Sequence, residues 1–214
     1  MATAGTVRAR IYDAAILPLT TSWYAAVLGR VPEHARVLDV GIGTGGALVA
    51  NAETLRAKNL VVTGIDIDAD YIARCRRLVV ERGLADRVEP RLESAYDHRG
   101  GPYDAVYFSA SFMLLPEPQR ALEHASSLLT GHGRLYFTQT FENTRSPFME
   151  RLKPVLRALT TIDFGRVTYE DEFRAELETA GVELLEMERL GGNRARSYHL
   201  AVASPAPPGP GSLG

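Results

Sequence analysis

The chain has 214 residues, of which 45% are apolar and 23% charged, with a formal net charge of −2. That is the composition of one ordinary globular domain, large enough to bury a core between layers of helix and sheet. Near-neutral charge gives no general attraction to nucleic acid or to an anionic membrane. No apolar run approaches the ~18 residues of a membrane span, and residues 1–10 lack the apolar stretch of a secretory signal. Cys75 is the only cysteine, which excludes an intrachain disulfide and a cysteine-built zinc site. The expected setting is the reducing cytoplasm.

Along the chain, short β-type runs alternate with longer helical patterns. Residues 36–40 read as a strand and 46–55 as a helix; 60–67, rich in β-branched residues, is a second strand. Asp68 is placed to cap a helix that carries Ile72, Cys75 and Val79 on one face, and Gly83 to end it in the left-handed conformation. Strands are expected over 88–92, 103–108 and 134–140, with a helix over 117–129 closed by Gly131. Between residues 143 and 170, Phe148, Met149, Leu152, Val155 and Leu156 form an apolar stripe that Pro154 interrupts. A helix over 171–180 precedes strands 182–190 and 196–203, joined by Gly191-Gly192-Asn193. So short a connection forces an antiparallel pair, because a parallel crossover needs about a dozen residues. The expected fold is α/β: a Rossmann-like doubly wound sheet, mostly parallel, with an antiparallel C-terminal hairpin strand. Residues 204–214, dominated by Pro, Gly, Ser and Ala, are expected to be a disordered tail.

The most informative segment is Asp39-Val40-Gly41-Ile42-Gly43-Thr44-Gly45-Gly46, where a buried strand turns into a helix. Glycines there permit a tight turn and close approach of a ligand, and the next helix offers free N–H groups at its start. Asp66 ends the following strand, where an acid can hydrogen-bond a ribose diol. Gly41, Gly43 and Gly46 satisfy the G-x-G-x-x-G dinucleotide pattern; Asp39, Gly41, Gly43 and Gly45 satisfy D-x-G-x-G-x-G. Asp39 separates the two physically. A carboxylate at the base of the loop repels a pyrophosphate and favours a cofactor that carries an ammonium group.

In these residues the chain resembles the class I S-adenosylmethionine-dependent methyltransferases, over roughly residues 37–203, the terminal hairpin included. The resemblance implies that Asp39 serves the cofactor's ammonium, and that Gly41 and Gly43 leave room for its methionine and ribose portions. The residues expected to line the cofactor are Asp39, Gly41, Ile42, Gly43, Gly45, Asp66, Ile67, Ser94, Ala95 and Ser109. Ser94 stands where many members carry aspartate; its hydroxyl or the Ala95 N–H is left to meet the adenine, unless Ser94 only caps the next turn. The family's layout makes residues 1–34 an N-terminal helical lid or substrate cap, 35–203 the methyltransferase domain, and 143–170 a substrate-cap insertion. Thr138, Gln139 and Thr140 at the end of the fifth strand are within reach of an acceptor.

The implied activity is transfer of the sulfonium methyl to an O or N atom of a small molecule. The cofactor supplies the electrophile, so the protein's task is in-line orientation, with a general base only where the nucleophile arrives protonated. Candidates for such a role are Tyr12, beside Asp13, Tyr24 and His98; Trp23 and Tyr24 equally suit helix packing. No histidine pair has metal-ligand spacing, so no metal site is expected. The arginines around Cys75 (Arg74, Arg76, Arg77, with Arg82, Arg87 and Arg91) read as a solvated face rather than an RNA surface, since Glu81, Asp86 and Glu89 dilute them. The expected partner is a small-molecule substrate, with no nucleic acid and no membrane, and the chain a monomer or homodimer. The rivals are methylation of protein or RNA, an NAD-dependent oxidoreductase, and a non-catalytic cofactor-binding protein.

Overall fold

The computed structural model describes residues 4–143 and 168–206, with the side chains of the first helix described from residue 17. A long helix, α1 (Ala4–Arg30), leads into β1 (Arg36–Val40), α2 (Gly46–Val49), α3 (Ala52–Ala57), β2 (Val61–Asp66), α4 (Ala69–Glu81), β3 (Val88–Leu92) and β4 (Tyr103–Ser109). A single 3-10 turn (Phe112–Leu114) precedes α5 (Pro118–Ser127) and β5 (Leu129–Glu142). The chain re-enters with α6 (Glu170–Thr179) and closes with β6 (Val182–Gly192) and β7 (Arg196–Pro205).

The seven strands form one sheet in the order β3-β2-β1-β4-β5-β7-β6. β1, β2, β3, β4 and β5 pair in parallel, and β7 runs antiparallel to both neighbours, β5 and β6. The architecture is therefore the mostly parallel α/β sheet with an antiparallel C-terminal hairpin strand that the alternation of elements implies. Continuous apolar runs such as β4, buried at Tyr103 and from Ala105 to Phe108, are what a strand covered on both faces requires. One face buries Tyr24, Val27, Leu48, Leu55, Ile72, Cys75 and Val79 from α1 to α4. The other buries Phe112, Leu122, Phe173 and Leu177 from the 3-10 turn, α5 and α6.

Three expected boundaries move. The helix expected over 46–55 is two short ones, because the Asn51 side chain at the break donates to Ala47 O at 2.9 Å and Thr21 O at 3.1 Å, competing with the backbone. Gly131 does not close a helix. α5 ends at Ser127, and Gly131 lies in the early part of β5, where the register slips between Tyr103↔Leu129 and Ala105↔Arg134. β7 runs on to Pro205, so the expected tail loses its first two residues, 204 and 205, to the sheet. The rest of that tail from 207, and the stripe from Phe148 to Leu156 with Pro154, lie outside the described residues.

The first helix, expected as a cap, has a C-terminal half that belongs to the core. Trp23, Tyr24, Val27 and Leu28 are all buried against the sheet. Asp68 caps α4, accepting from the Asp70 and Tyr71 N–H groups, and Gly83 follows the helix at φ +61°. Among the described residues no helix is long and apolar enough to cross a membrane.

Candidate functional site

The loop from β1 to α2 places Gly41, Gly43 and Gly45 at φ +81°, +58° and +73°, a conformation that side chains disfavour. Their surroundings differ. A Cβ on Gly41 would stand 2.6 Å from Ser111 Cβ, and one on Gly45 would stand 2.5 Å from Cys75 Sγ. A Cβ on Gly43 meets nothing within 4 Å among the described residues. Two of the three glycines are therefore demanded by the protein's own packing, while the middle one faces open space. Gly46 keeps an ordinary φ, and a Cβ on it would stand 3.2 Å from Leu17 Cδ1 of α1, so it belongs to helix packing.

The loop is held from β2. Gly41 and Ile42 N–H groups donate to Ile65 O at 2.8 and 3.1 Å. The Gly43 N–H donates to Asp66 Oδ2 at 2.9 Å, and Asp66 Oδ1 accepts from the Asp68 N–H at 2.9 Å. Asp66 thus joins the glycine turn to the start of α4 and keeps lone pairs to spare for further donors. The Ile42 side chain turns inward onto Gly64 and is buried, so only its backbone faces the turn. Ile67, by contrast, is 78% exposed beside Asp66.

Asp39 is buried in β1. Its Oδ2 accepts from the Tyr24 hydroxyl at 2.7 Å, and its Oδ1 has no hydrogen-bond partner among the described residues. Burial pushes this carboxyl up to about 7, with the Tyr24 hydrogen bond pulling it back and the nearby Asp66 charge adding to the rise. Tyr24 packs edge-on to Tyr107, whose hydroxyl pairs with Thr138 Oγ1 at 2.8 Å. Burial, then the Asp39 charge, holds the Tyr24 phenol well above its ordinary range, so it is a fixed donor rather than a base. Ser109 ends β4 against both phenols, favouring their ionised forms. A polar track on the α1 face of the sheet therefore runs from β1 across β4 to β5.

The remaining candidates are placed as follows. Tyr12 lies in α1, its side chain outside the described residues. Trp23 is buried against Tyr198, with ring centroids 5.6 Å apart. Ser94 Oγ accepts from the Tyr96 N–H at 3.2 Å, closing a turn, and Ala95 packs against the second core cluster. His98 is fully buried with both ring nitrogens engaged, Nδ1 by Glu93 Oε2 at 2.5 Å and Nε2 by the Tyr103 hydroxyl at 2.8 Å. That leaves it no lone pair for an acceptor's proton and makes it a brace beneath the loop after β3. Among the described residues no group of three or more His, Cys, Asp or Glu is arranged to hold a metal.

Sequence patterns missed Ser111, whose hydroxyl donates to Val40 O while its Cβ limits Gly41, and Cys75 as the neighbour of Gly45. Both contacts join residues from separate elements, and no local spacing signals them. Burial pushes the Cys75 thiol up to about 12, so it acts as packing and not as a nucleophile.

Residues 37–133 match a family model described as a methyltransferase domain, a stretch holding the glycine turn, Asp39, Asp66 and Ser109. Over that stretch the chain is similar to methyltransferases. It is 28% identical over 151 residues to a phosphatidylethanolamine N-methyltransferase of Cereibacter sphaeroides, covering 70% of each chain. It is 33% identical over 118 residues to aklanonic acid methyltransferase DauC of Streptomyces sp. (strain C5), covering 53% of this chain and only about half, 52%, of that relative. Among solved structures it shares its fold with the [4+2]-cyclase SpnF, at TM-score 0.72 and 19% identity, over 87% of this chain and 82% of the other. It shares it also with a geranyl diphosphate methyltransferase in complex with SAM, at TM-score 0.69 and 14% identity, over 87% and 85%.

S-adenosylmethionine is the cofactor that similarity to a methyltransferase domain implies. The residues present fit it: a buried carboxylate oxygen without a partner accepts an ammonium, and the open side of Gly43 admits a ligand against the backbone. The same carboxylate, one turn beneath the loop, opposes a diphosphate, which disfavours a nicotinamide dinucleotide.

Proposed function

We propose that this methyltransferase transfers a methyl group to an oxygen or nitrogen atom of a small molecule, with the cofactor over the carboxyl ends of β1, β2 and β4. The observation that carries the placement is the pairing of a loop open only at Gly43 with the unpartnered oxygen of Asp39 below it. Asp39 holds the ammonium, Gly41, Gly43 and Gly45 form the cradle, and Asp66 takes the ribose hydroxyls while anchoring the turn. Exposed Ile67 covers one face of the adenine, and the Ile42 backbone, Ser94, Ala95 and Ser109 complete the wall. The cofactor supplies a methyl group already activated on sulfonium. What the chain supplies is alignment, worth up to ~7–11 kcal/mol in favourable model systems. Tyr24 and Ser109 hold Asp39 and the floor of the site rigid.

A small-molecule acceptor is supported by the fate of the arginines. Arg87 pairs with Asp86 at 3.6 Å and Arg91 with Glu89 at 2.8 Å, while Arg76 donates to Pro90 O, so several of these arginines are engaged within the protein.

Titration calorimetry with S-adenosylhomocysteine and, separately, NAD tests the site: heat with the first and none with the second is expected, and the reverse refutes it. Transfer of labelled methyl from the cofactor into the low-molecular-mass fraction of a cell extract tests the acceptor class. Label appearing only in protein or RNA overturns it.

A further inference from the structure

The loop from β3 to β4 is built around a chain of three side chains. The buried His98 meets Glu93 Oε2 with Nδ1 at 2.5 Å and the Tyr103 hydroxyl with Nε2 at 2.8 Å. A carboxylate only accepts, so Nδ1 carries the proton and Nε2 takes that of the phenol. The other Glu93 oxygen lies 3.8 Å from Arg91 Nη1, and the Glu93 N–H extends the sheet by donating to Asp66 O at 3.1 Å. The His98 carbonyl accepts from His124 Nε2 of α5 at 2.8 Å. Gly100 passes so close that a Cβ there would collide with both His98 Nε2 and the Tyr103 hydroxyl.

Such a chain is a poor source of stability, because an apolar side chain of similar shape fills the space without desolvating an imidazole and a phenol. What a fully satisfied buried network provides is a single geometry. The geometry fixed here is that of Ser94 and Ala95. Ser94 O accepts from both the Asp97 and the His98 N–H at 3.1 Å, so the segment from Ser94 to His98 closes as one turn with the buried ring at its far end. Ser94 and Ala95 are only half-buried, and Leu92 and Ile67, at the carboxyl ends of β3 and β2, are exposed.

The strand order assigns this turn a ligand. The sheet runs β3-β2-β1 on this side. With the ammonium on Asp39 of β1 and the ribose on Asp66 of β2, the base extends over the next strand, β3, onto Ser94 and Ala95. We propose that Glu93, His98 and Tyr103 are positioning residues for the cofactor's base, holding this turn in the shape that receives a purine. His98 and Tyr103 are buried and act only through the turn. A turn ordered in advance spares the ligand the cost of ordering it. The assignment rests on the cofactor placement proposed above and adds what secures the base.

Calorimetry with S-adenosylhomocysteine and with S-ribosylhomocysteine, which lacks the base, separates the turn from the glycine cradle. Wild type is expected to prefer the first by at least about thirtyfold. His98→Phe, which removes both hydrogen bonds, and Tyr103→Phe, which removes one, should each cut that preference by about tenfold, with S-ribosylhomocysteine affinity within about twofold of wild type. Glu93→Gln keeps an oxygen that accepts from Nδ1 and should retain the preference, while Glu93→Ala should lose it. Should His98→Phe fail to fold, Tyr103→Phe and the Glu93 pair decide. An equal loss of affinity for both compounds assigns the chain to the fold at large and overturns the proposal. So does a preference that survives His98→Phe and Tyr103→Phe, and so does a loss confined to Glu93→Ala, which would put Glu93 itself on the cofactor. A wild type that binds both compounds equally takes the base off this turn. A wild type that binds neither refutes the cofactor placement, and this proposal with it.

Discussion

The two halves of the sheet's carboxyl end are built on opposite principles. Around β1 and β2 the polar groups are largely satisfied from within: Asp66 holds the Gly43 N–H, Ile65 O holds two more, and Tyr24 holds Asp39, with a single carboxylate oxygen left over. Around β5 and β7, three buried atoms of Gln139 and His199 have no partners among the described residues, and apolar rings surround them. A cofactor that never changes can be met by a rigid, self-braced cradle. Buried polar atoms left without partners among apolar rings cost stability.

The contrast is sharpest at Gly43. Gly43→Val fills the open side of the turn, and loss of S-adenosylhomocysteine affinity by about a hundredfold or more is expected by calorimetry. Because nothing crowds the position, the fold should survive at a cost of only ~1–3 kcal/mol for the strained φ. Near-wild-type affinity would show that ligand does not pass there.

Gly41→Ala tests the opposite case. The added methyl meets Ser111 Cβ, so urea denaturation should show a loss of about 2–4 kcal/mol from overpacking and strain together. Ser111→Gly in the same chain should restore part of it. No recovery would mean that Ser111 is not what excludes a side chain at Gly41.

Asp39 predicts a pH dependence. The folded carboxyl ionises near 7, against about 3.9 for an unfolded aspartate. Between those values the folded chain holds more protons, so this residue's contribution to stability is greatest below pH 4, falls as pH rises towards 7, and is level above. On the proposed placement cofactor binding runs the other way, because an ammonium held by Asp39 needs the ionised form. Affinity for S-adenosylhomocysteine should weaken by up to about tenfold per pH unit below 7 and level off above it. Asp39→Asn should be weaker at pH 8 and lose this dependence; a profile unchanged in the variant would assign the titration elsewhere.

Tyr24→Phe should be the mildest change. It removes one hydrogen bond to a charged group, worth about 1.5–3 kcal/mol of stability at pH 8. The lost bond had favoured the ionised carboxyl, so the midpoint of the affinity profile should move to higher pH. A midpoint that stays in place would show that the phenol does not act on Asp39.

Much of this was legible in the amino-acid order because it is local. Period-two and helical spacing fixed β1 to β4, Asp68 announced its own helix, and a three-residue link between two β runs could only reverse the chain. The turn with its acid, from Asp39 to Gly45, was equally legible, since ammonium and diphosphate make opposite electrostatic demands. Where spacing misled, a non-local contact had intervened: Asn51 reached back to α1 and split a helix, and a register slip drew the Gly131 segment into β5.

The covalent chain alone determined the layered α/β class and the cofactor's chemical type, because both follow from periodicity and from charge within a few residues. Tertiary structure decided which glycine faces open space and which avoid Ser111 and Cys75. It also set Tyr24 on Asp39, closed off both nitrogens of His98, and left the Gln139 amide and His199 Nδ1 without partners among the described residues. Those facts depend on atoms tens of residues apart meeting at van der Waals distance, and such contacts have no period.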